Sequence, residues 1–109
     1  MNINDKLNPI RKGLLELAVL KIISAHKVYA ADILKRLATT EFITQEGTLY
    51  PLLSRLRREG AVAYEWVESE SGPPRKYYQL TDTGHTQLYK LQDYLGKLNQ
   101  TINEIGDKS

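Results

Sequence analysis

Between Gln45 and Arg58 the chain sets out side chains suited to gripping a polyanion rather than breaking bonds: Gln45, Glu46, Thr48, Tyr50 and Ser54, then Arg55 and Arg58. Amides, hydroxyls and guanidinium forks are the groups that hydrogen-bond nucleobase edges and phosphate oxygens. Arg57 stands in the same run with no role assigned to it. A second set follows at Gly72, Arg75 and Lys76, where a glycine allows close backbone approach and two cations can reach phosphates. Arg11 and Lys12 form a third, just after Asn8-Pro9. Cations near a helix start oppose the macrodipole by roughly 0.3–1 kcal/mol, so a phosphate contact is expected for Lys12.

No catalytic or metal-binding set accompanies these groups. The two histidines, His26 and His85, stand at no metal-ligand spacing, and the chain has no cysteine, which excludes thiolate sites and disulfides. There is no phosphate loop or nucleophile motif, so neither an enzyme nor a cofactor is expected. The 109 residues suffice for one small domain with little apolar area to spare. The most apolar segment, Leu14 to Ile23, is interrupted by Glu16 and Lys21 and is too short to span a bilayer. A cytoplasmic protein with no membrane partner is expected. Charge is uneven: residues 1–60 carry ten Lys/Arg against six Asp/Glu, net +4, and residues 61–109 carry five against seven, net −2. The basic half is the one with the polyanion-binding groups.

These groups must be positioned by regular elements. Leu49, Leu52, Leu53 and Leu56 recur at i, i+3, i+4, i+7, a helix with one buried stripe, and Gly60 after Arg57 and Arg58 marks its end. Either Thr44 or Thr48 is its N-cap; Glu46 favours Thr44, with Pro51 then distorting the first turns. Before it, Asn8 as N-cap and Pro9 as first residue open a helix to about Lys27, apolar nearly all round and therefore buried on more than one side. A second helix of about Ala30 to Thr39 buries Ile33, Leu34 and Leu37, and Phe42 and Ile43 point inward from the connection.

After Gly60 the period becomes two. Val62, Tyr64 and Trp66, then Lys76, Tyr78 and Leu80, read as the strands of a hairpin, joined by a long protruding loop from Glu68 to Pro74. Trp66 is expected to pack on a tyrosine across the strands. Thr81 caps a final helix to about Ile105, with Gly106 as its stop. Its Leu88, Leu91, Leu95, Leu98, Ile102 and Ile105 form a heptad seam with little of its own chain to cover it, so a homodimer is expected through this seam together with Leu14 and Leu17.

The result is mostly α with a small β-hairpin: a winged helix-turn-helix over residues 1–80, whose third helix enters the DNA major groove, and a dimerisation helix over residues 81–109, packed as one unit. The competing possibility is a winged-helix protein-interaction module that does not touch DNA.

The runs Gly47-Thr-Leu-Tyr-Pro-Leu-Leu-Ser-Arg-Leu56 and Gly72-Pro-Pro-Arg-Lys-Tyr-Tyr-Gln-Leu-Thr81, with Gly60 and Gly84, resemble the signature of the PadR family of bacterial transcription regulators, and the similarity extends over about residues 9–105. A single last helix looks like the short-chain branch. The resemblance implies a homodimeric repressor on a palindromic double-stranded operator, released in many members by a small aromatic or phenolic effector or drug near the dimer interface. Two departures stand out. Ala30-Ala31-Asp32-Ile33 replaces the usual Gly-Tyr-Glu-Ile, and Leu95, beside Tyr94, occupies the place of the tryptophan that sandwiches flat drugs in multidrug-binding members. An effector pocket at Tyr94 and Leu95 of that sandwich type is therefore not expected to be complete, and a protein signal is the alternative to a small molecule.

Overall fold

The computed structural model describes residues 2–107. Its elements are α1 (Asn4–Ala25), β1 (Val28–Tyr29), α2 (Ala30–Ala38), α3 (Glu46–Arg58), β2 (Val62–Ser69), β3 (Gly72–Leu80) and α4 (Asp82–Ile105), with the strands antiparallel in the order β1-β3-β2. The core is a single cluster to which α1 gives Val19, Leu20 and Ile23, α2 Ile33 and Leu37, α3 Leu49, Leu53 and Leu56, and the hairpin Val62 and Tyr78. Among the described residues no helix is long and apolar enough to cross a membrane.

The first helix begins at Asn4, not after Asn8, and carries Pro9 inside it. The Asn2 carboxamide oxygen accepts from the Asn4 amide at 3.0 Å and supports this earlier turn, while the Asn8 side chain bonds Arg11 instead of capping. The extra turn completes a stripe of Ile3, Leu7, Ile10, Leu14 and Leu17, spaced 4, 3, 4 and 3, of which the first three are exposed. Beyond α2, Phe42 packs on the core, but Ile43 is 68% exposed rather than inward.

Neither threonine caps α3. Gln45, in extended conformation, holds that position through its carbonyl, which accepts from the Thr48 and Leu49 amides at 3.0 Å each. The far end is a Schellman motif: the Ala61 amide reaches the Leu56 carbonyl at 2.9 Å, the Gly60 amide reaches Arg57 at 3.0 Å, and Gly60 takes φ +78°.

The hairpin is longer and its turn tighter than the alternation suggested. Ser69 pairs with Gly72, leaving Glu70 and Ser71 as the connection in place of the seven-residue loop. Pro73 and Pro74 can lie in β3 because the register slips between Val67 and Ser69 and β1 reaches only Tyr77 and Tyr78, so no ladder bond is required of them. Strand β1 is too short to show a period and was not foreseen. Trp66 lies opposite Lys76, not a tyrosine, and is 62% exposed; the cross-strand aromatic pair is Tyr64 with Tyr78, ring centroids 5.8 Å apart.

Thr81 does cap α4, accepting from the Gly84 amide at 3.0 Å while its hydroxyl donates to the Gly60 carbonyl at 2.6 Å. The other end stops at Gly106 in right-handed, not left-handed, conformation. The ties of α4 to its own chain thin out past its midpoint. Leu88, expected on the intersubunit seam, is 7% exposed and belongs to the chain's core, whereas Leu91, Leu98, Ile102 and Ile105 are exposed and Leu95 is half-buried. The molecule is accordingly elongated, 63 × 35 × 21 Å.

Candidate nucleic-acid interface

At 100° per residue, burying Leu49, Leu53 and Leu56 turns Gly47, Pro51, Ser54 and Arg58 to the opposite side of α3, and all four are exposed. This outward strip is shallow. Gly47 has no side chain, a Cβ there would meet nothing within 4 Å, and Pro51 is exposed. The missing Pro51 donor thus falls on the solvent side, which lessens the disruption a proline brings to a buried helix face.

The two flanks of the strip differ. On one, Thr48 shares a cleft of about 200 Å³ with Lys12, Arg11 and Asn8 of α1, which puts Lys12 beside α3. Gln45 and Glu46, both exposed, stand at the leading end. On the other flank are Tyr50 and Arg57, facing the wing. The Arg57 guanidinium lies 4.8 Å from the Tyr64 ring centroid, which gives this arginine a place that sequence position alone did not.

Arg55 is drawn away from the strip. One nitrogen donates to Glu16 at 2.7 Å and another to Glu59 at 3.0 Å, and these bonds, the one to Glu16 first, raise its pKa further. The other Glu16 oxygen accepts from Gln87 at 2.8 Å, so one carboxylate links α1, α3 and α4. Glu16→Ala is expected to lower stability by about 1–2 kcal/mol, the modest size reflecting the half-exposed Arg55 partner. Urea unfolding checks this: the midpoint should fall with the slope unchanged.

On the wing, Arg75 and Lys76 lie below the tip, opposite Val67 and Trp66, and Gly72 is at the tip beside Glu70. Both cations rest on aromatic rings: Arg75 over Tyr29 at 5.2 Å, and Lys76 over Tyr64 at 4.5 Å and Trp66 at 5.2 Å. Such contacts orient a cation without neutralising it. Tyr29 in turn stacks on Tyr77, centroids 3.7 Å apart, and their hydrogen bond pushes the Tyr77 hydroxyl pKa up. Burial does the same for Tyr78, reinforced by Tyr64 and Tyr50 and opposed by Arg57. Arg57, Trp66, Tyr29 and Tyr77 complete the surface but were not among the candidate site residues. Projecting α3 as a helix would have found Arg57; β1 had no signal to place Tyr29.

Among the described residues there is no cluster of His, Asp or Glu that could hold a metal. A shallow helix face between a basic cleft and a cation-bearing hairpin is instead shaped for a charged groove. The model of the transcriptional regulator PadR-like family matches residues 19–90. A PadR-like transcription factor from Bacteroides fragilis is 43% identical, with a TM-score of 0.81 over 94% of this chain and 99% of its own. A PadR-like transcriptional regulator from Bacillus cereus is 35% identical, TM-score 0.77, over 90% of this chain and 96% of its own. A PadR family regulator from Eggerthella lenta is 29% identical, TM-score 0.88, over 98% and 94%. With the family model spanning well over half the chain and the helices and winged sheet shared almost end to end, the chain belongs to the PadR-like family of transcriptional regulators, DNA-binding proteins and not enzymes.

Proposed function

We propose that the protein is a homodimeric repressor that binds an inverted-repeat operator in the cytoplasm, with α3 in the major groove of each half-site. The observation that carries this is the outward strip of α3, exposed and shallow, with Lys12 on one side and Arg57, Arg75 and Lys76 on the other. Gln45, Thr48, Tyr50 and Ser54 face base edges or phosphates. Glu46 at the leading end accepts from a base amino group, Arg58 and Lys12 meet phosphates, and Gly72 lets the wing backbone approach the adjacent groove. Arg55 acts indirectly, by bracing α3 against Glu16.

Two uncovered apolar stripes support the dimer: Ile3, Leu7 and Ile10 at the start of α1, and Leu91, Leu98, Ile102 and Ile105 on α4. In a helix of 24 residues, about 36 Å long, whose last turns from Ile102 to Ile105 stand uncovered by its own chain, a second copy is the cover that fits the stripe. In this reading the dimer surface joins the later turns of α4 to the start of α1, and α2, α3 and the wing form the DNA-binding unit; residues 1, 108 and 109 of the expected 1–80 and 81–109 division lie outside the described residues. Two recognition helices on one two-fold axis read half-sites about 34 Å apart.

The cleft between α1 and α4, about 320 Å³, is lined by Leu14, Leu17, Leu91, Tyr94, Leu95 and Leu98. Its acid, Glu16, is already engaged by Arg55 and Gln87. With no tryptophan, its carboxylate engaged and leucines making most of the lining, this cleft is assigned to the partner's apolar stripe rather than to an effector. An effector, if a small molecule, acts elsewhere.

Fluorescence anisotropy with DNA from upstream of the protein's own gene tests the function. Saturable binding should weaken steeply with salt, log affinity falling by about 0.9 per phosphate neutralised. Replacing Arg75 and Lys76 together by alanine should lower affinity on every sequence and flatten that slope by roughly 1–2. Unchanged affinity and slope would remove the wing from the interface. Binding indifferent to salt would instead favour a protein-interaction module.

A further inference from the structure

We infer that Glu16 is a positioning residue for DNA recognition: its carboxylate ties the recognition helix to the dimerisation helix and so sets the separation of the two recognition helices in the dimer. The inference rests on the dimeric DNA-binding function proposed above and adds to it the device that fixes the half-site spacing.

Helix α3 packs on α2 and β2, whereas α4 packs on α1 and β3, so little direct packing joins the helix that reads DNA to the helix that dimerises. They are tied at two points. One is the end of α3, where the Thr81 hydroxyl donates to the Gly60 carbonyl at 2.6 Å and Gly84 packs against the Ala61 carbonyl. The other lies earlier, at Arg55, which donates to one Glu16 oxygen at 2.7 Å while Gln87 donates to the other at 2.8 Å. Gln87 adjoins Leu88, which the core holds, so its amide is presented from a fixed part of α4. Among the described residues no other side chain of α3 hydrogen-bonds to a different element.

One tie at the end of a helix leaves its tilt relative to the tied element loose; a second tie fixes it. From Gly60 to Gln45 is about 22 Å along the helix, so a tilt of about 5° moves the leading end by about 2 Å. In a two-fold dimer both copies move, and about 4 Å is comparable to the roughly 3.4 Å rise of one base pair. Charge neutralisation does not account for the arrangement. Glu59 already pairs with Arg55 at 3.0 Å from the same helix, and a second carboxylate leaves one guanidinium between two acids, a net negative site that opposes phosphate binding. What Glu16 adds is direction, because each of its two oxygens takes a donor from a different helix. Glu16 also lines the α1–α4 cleft beside Leu14 and Leu17, so the link lies where the second copy is assigned to pack.

The chain has no cysteine, so Ser54→Cys places one spin label on the exposed face of α3 in each subunit, and double electron–electron resonance on the whole protein, without DNA, reads the distance between the two labels. The labelled protein should give one narrow distance. Adding Glu16→Ala, or Gln87→Met, which keeps the length of the side chain and removes only its amide, should broaden or shift that distance by about 2–4 Å while sedimentation still finds a dimer. The unlabelled proteins are then titrated by anisotropy with inverted-repeat duplexes from the upstream DNA whose half-sites are moved together or apart by one base pair. Wild type should prefer one spacing by about tenfold, and both variants by about threefold or less. A loss of stability alone lowers the active fraction on every duplex equally and leaves the ratio and the label distance of the folded dimer unchanged. That outcome, or a wild-type distance and spacing preference in Gln87→Met, would overturn the inference. A label distance altered by both variants in a protein that binds no duplex would sink the operator function and leave the link standing, whereas a labelled protein with no dipolar coupling would sink the dimer and the inference with it.

Discussion

Aspartate at Leu98 or Ile102 is expected to leave a folded monomer whose operator affinity is lower by about 10²-fold or more. Both side chains are exposed in the single chain, Ile102 by 67% and Leu98, at the edge of the α1–α4 cleft, by 43%, so neither substitution places its charge in a buried intrachain site. In a dimer built on the α4 stripe the new carboxylate must be desolvated among leucines and isoleucines, which costs several kcal/mol unless the subunits separate. The loss of DNA binding then follows with no DNA-facing residue changed, because two half-sites are no longer held by one particle. Sedimentation gives the mass and anisotropy the affinity. A dimer of wild-type strength for both variants would show that the stripe faces something else. Leu95→Asp is a less clean test, since Leu95 is half-buried against α1 and its charge would also disturb the fold.

The fold itself should be most sensitive at Gly84. A methyl group there would stand 2.0 Å from the Ala61 carbonyl oxygen and 3.0 Å from its carbon, with Leu80 at 3.3 Å. Two of these are backbone atoms that side-chain motion cannot relieve, so α4 must shift away from the α3–β2 turn and loosen the Thr81 bond to Gly60. Gly84→Ala is expected to cost about 3 kcal/mol, against a helix propensity that would by itself favour alanine by about 1 kcal/mol. Gly96→Ala in the same helix meets open space and should stabilise by about 0.5–1 kcal/mol. Urea midpoints that move in opposite directions check both. Equal shifts would mean that the close approach at Ala61 is not what selects glycine.

What could be read ahead was local. The leucine stripe of α3 and its stop at Gly60, the span of α2, the alternation of the two hairpin strands and the Thr81 cap each depend on residues within a few positions of one another or on a strict period. What failed depended on distant partners. The start of α1 turned on Asn2, the length of the hairpin on a register slip, and β1 on a pairing with Tyr77 and Tyr78 about fifty residues away. Leu88 fitted the heptad as well as Leu98 did. Only the approach of α1 and the sheet to the first half of α4 separates the one, which is core, from the other, which is uncovered.

The same division holds at the recognition helix. The sequence by itself determined a helix with its leucines inward, hydroxyls and guanidiniums outward and a glycine stop, because periodicity and capping act within a turn or two. The tertiary structure decided which guanidinium does what: Arg55 is taken by Glu16, Arg57 rests on Tyr64, and Arg58 stays exposed toward solvent. Three arginines within four residues share nearly the same local surroundings. Their long side chains choose among partners that differ by about 1 kcal/mol, and those partners are supplied by α1 and the wing, not by the helix that carries the arginines.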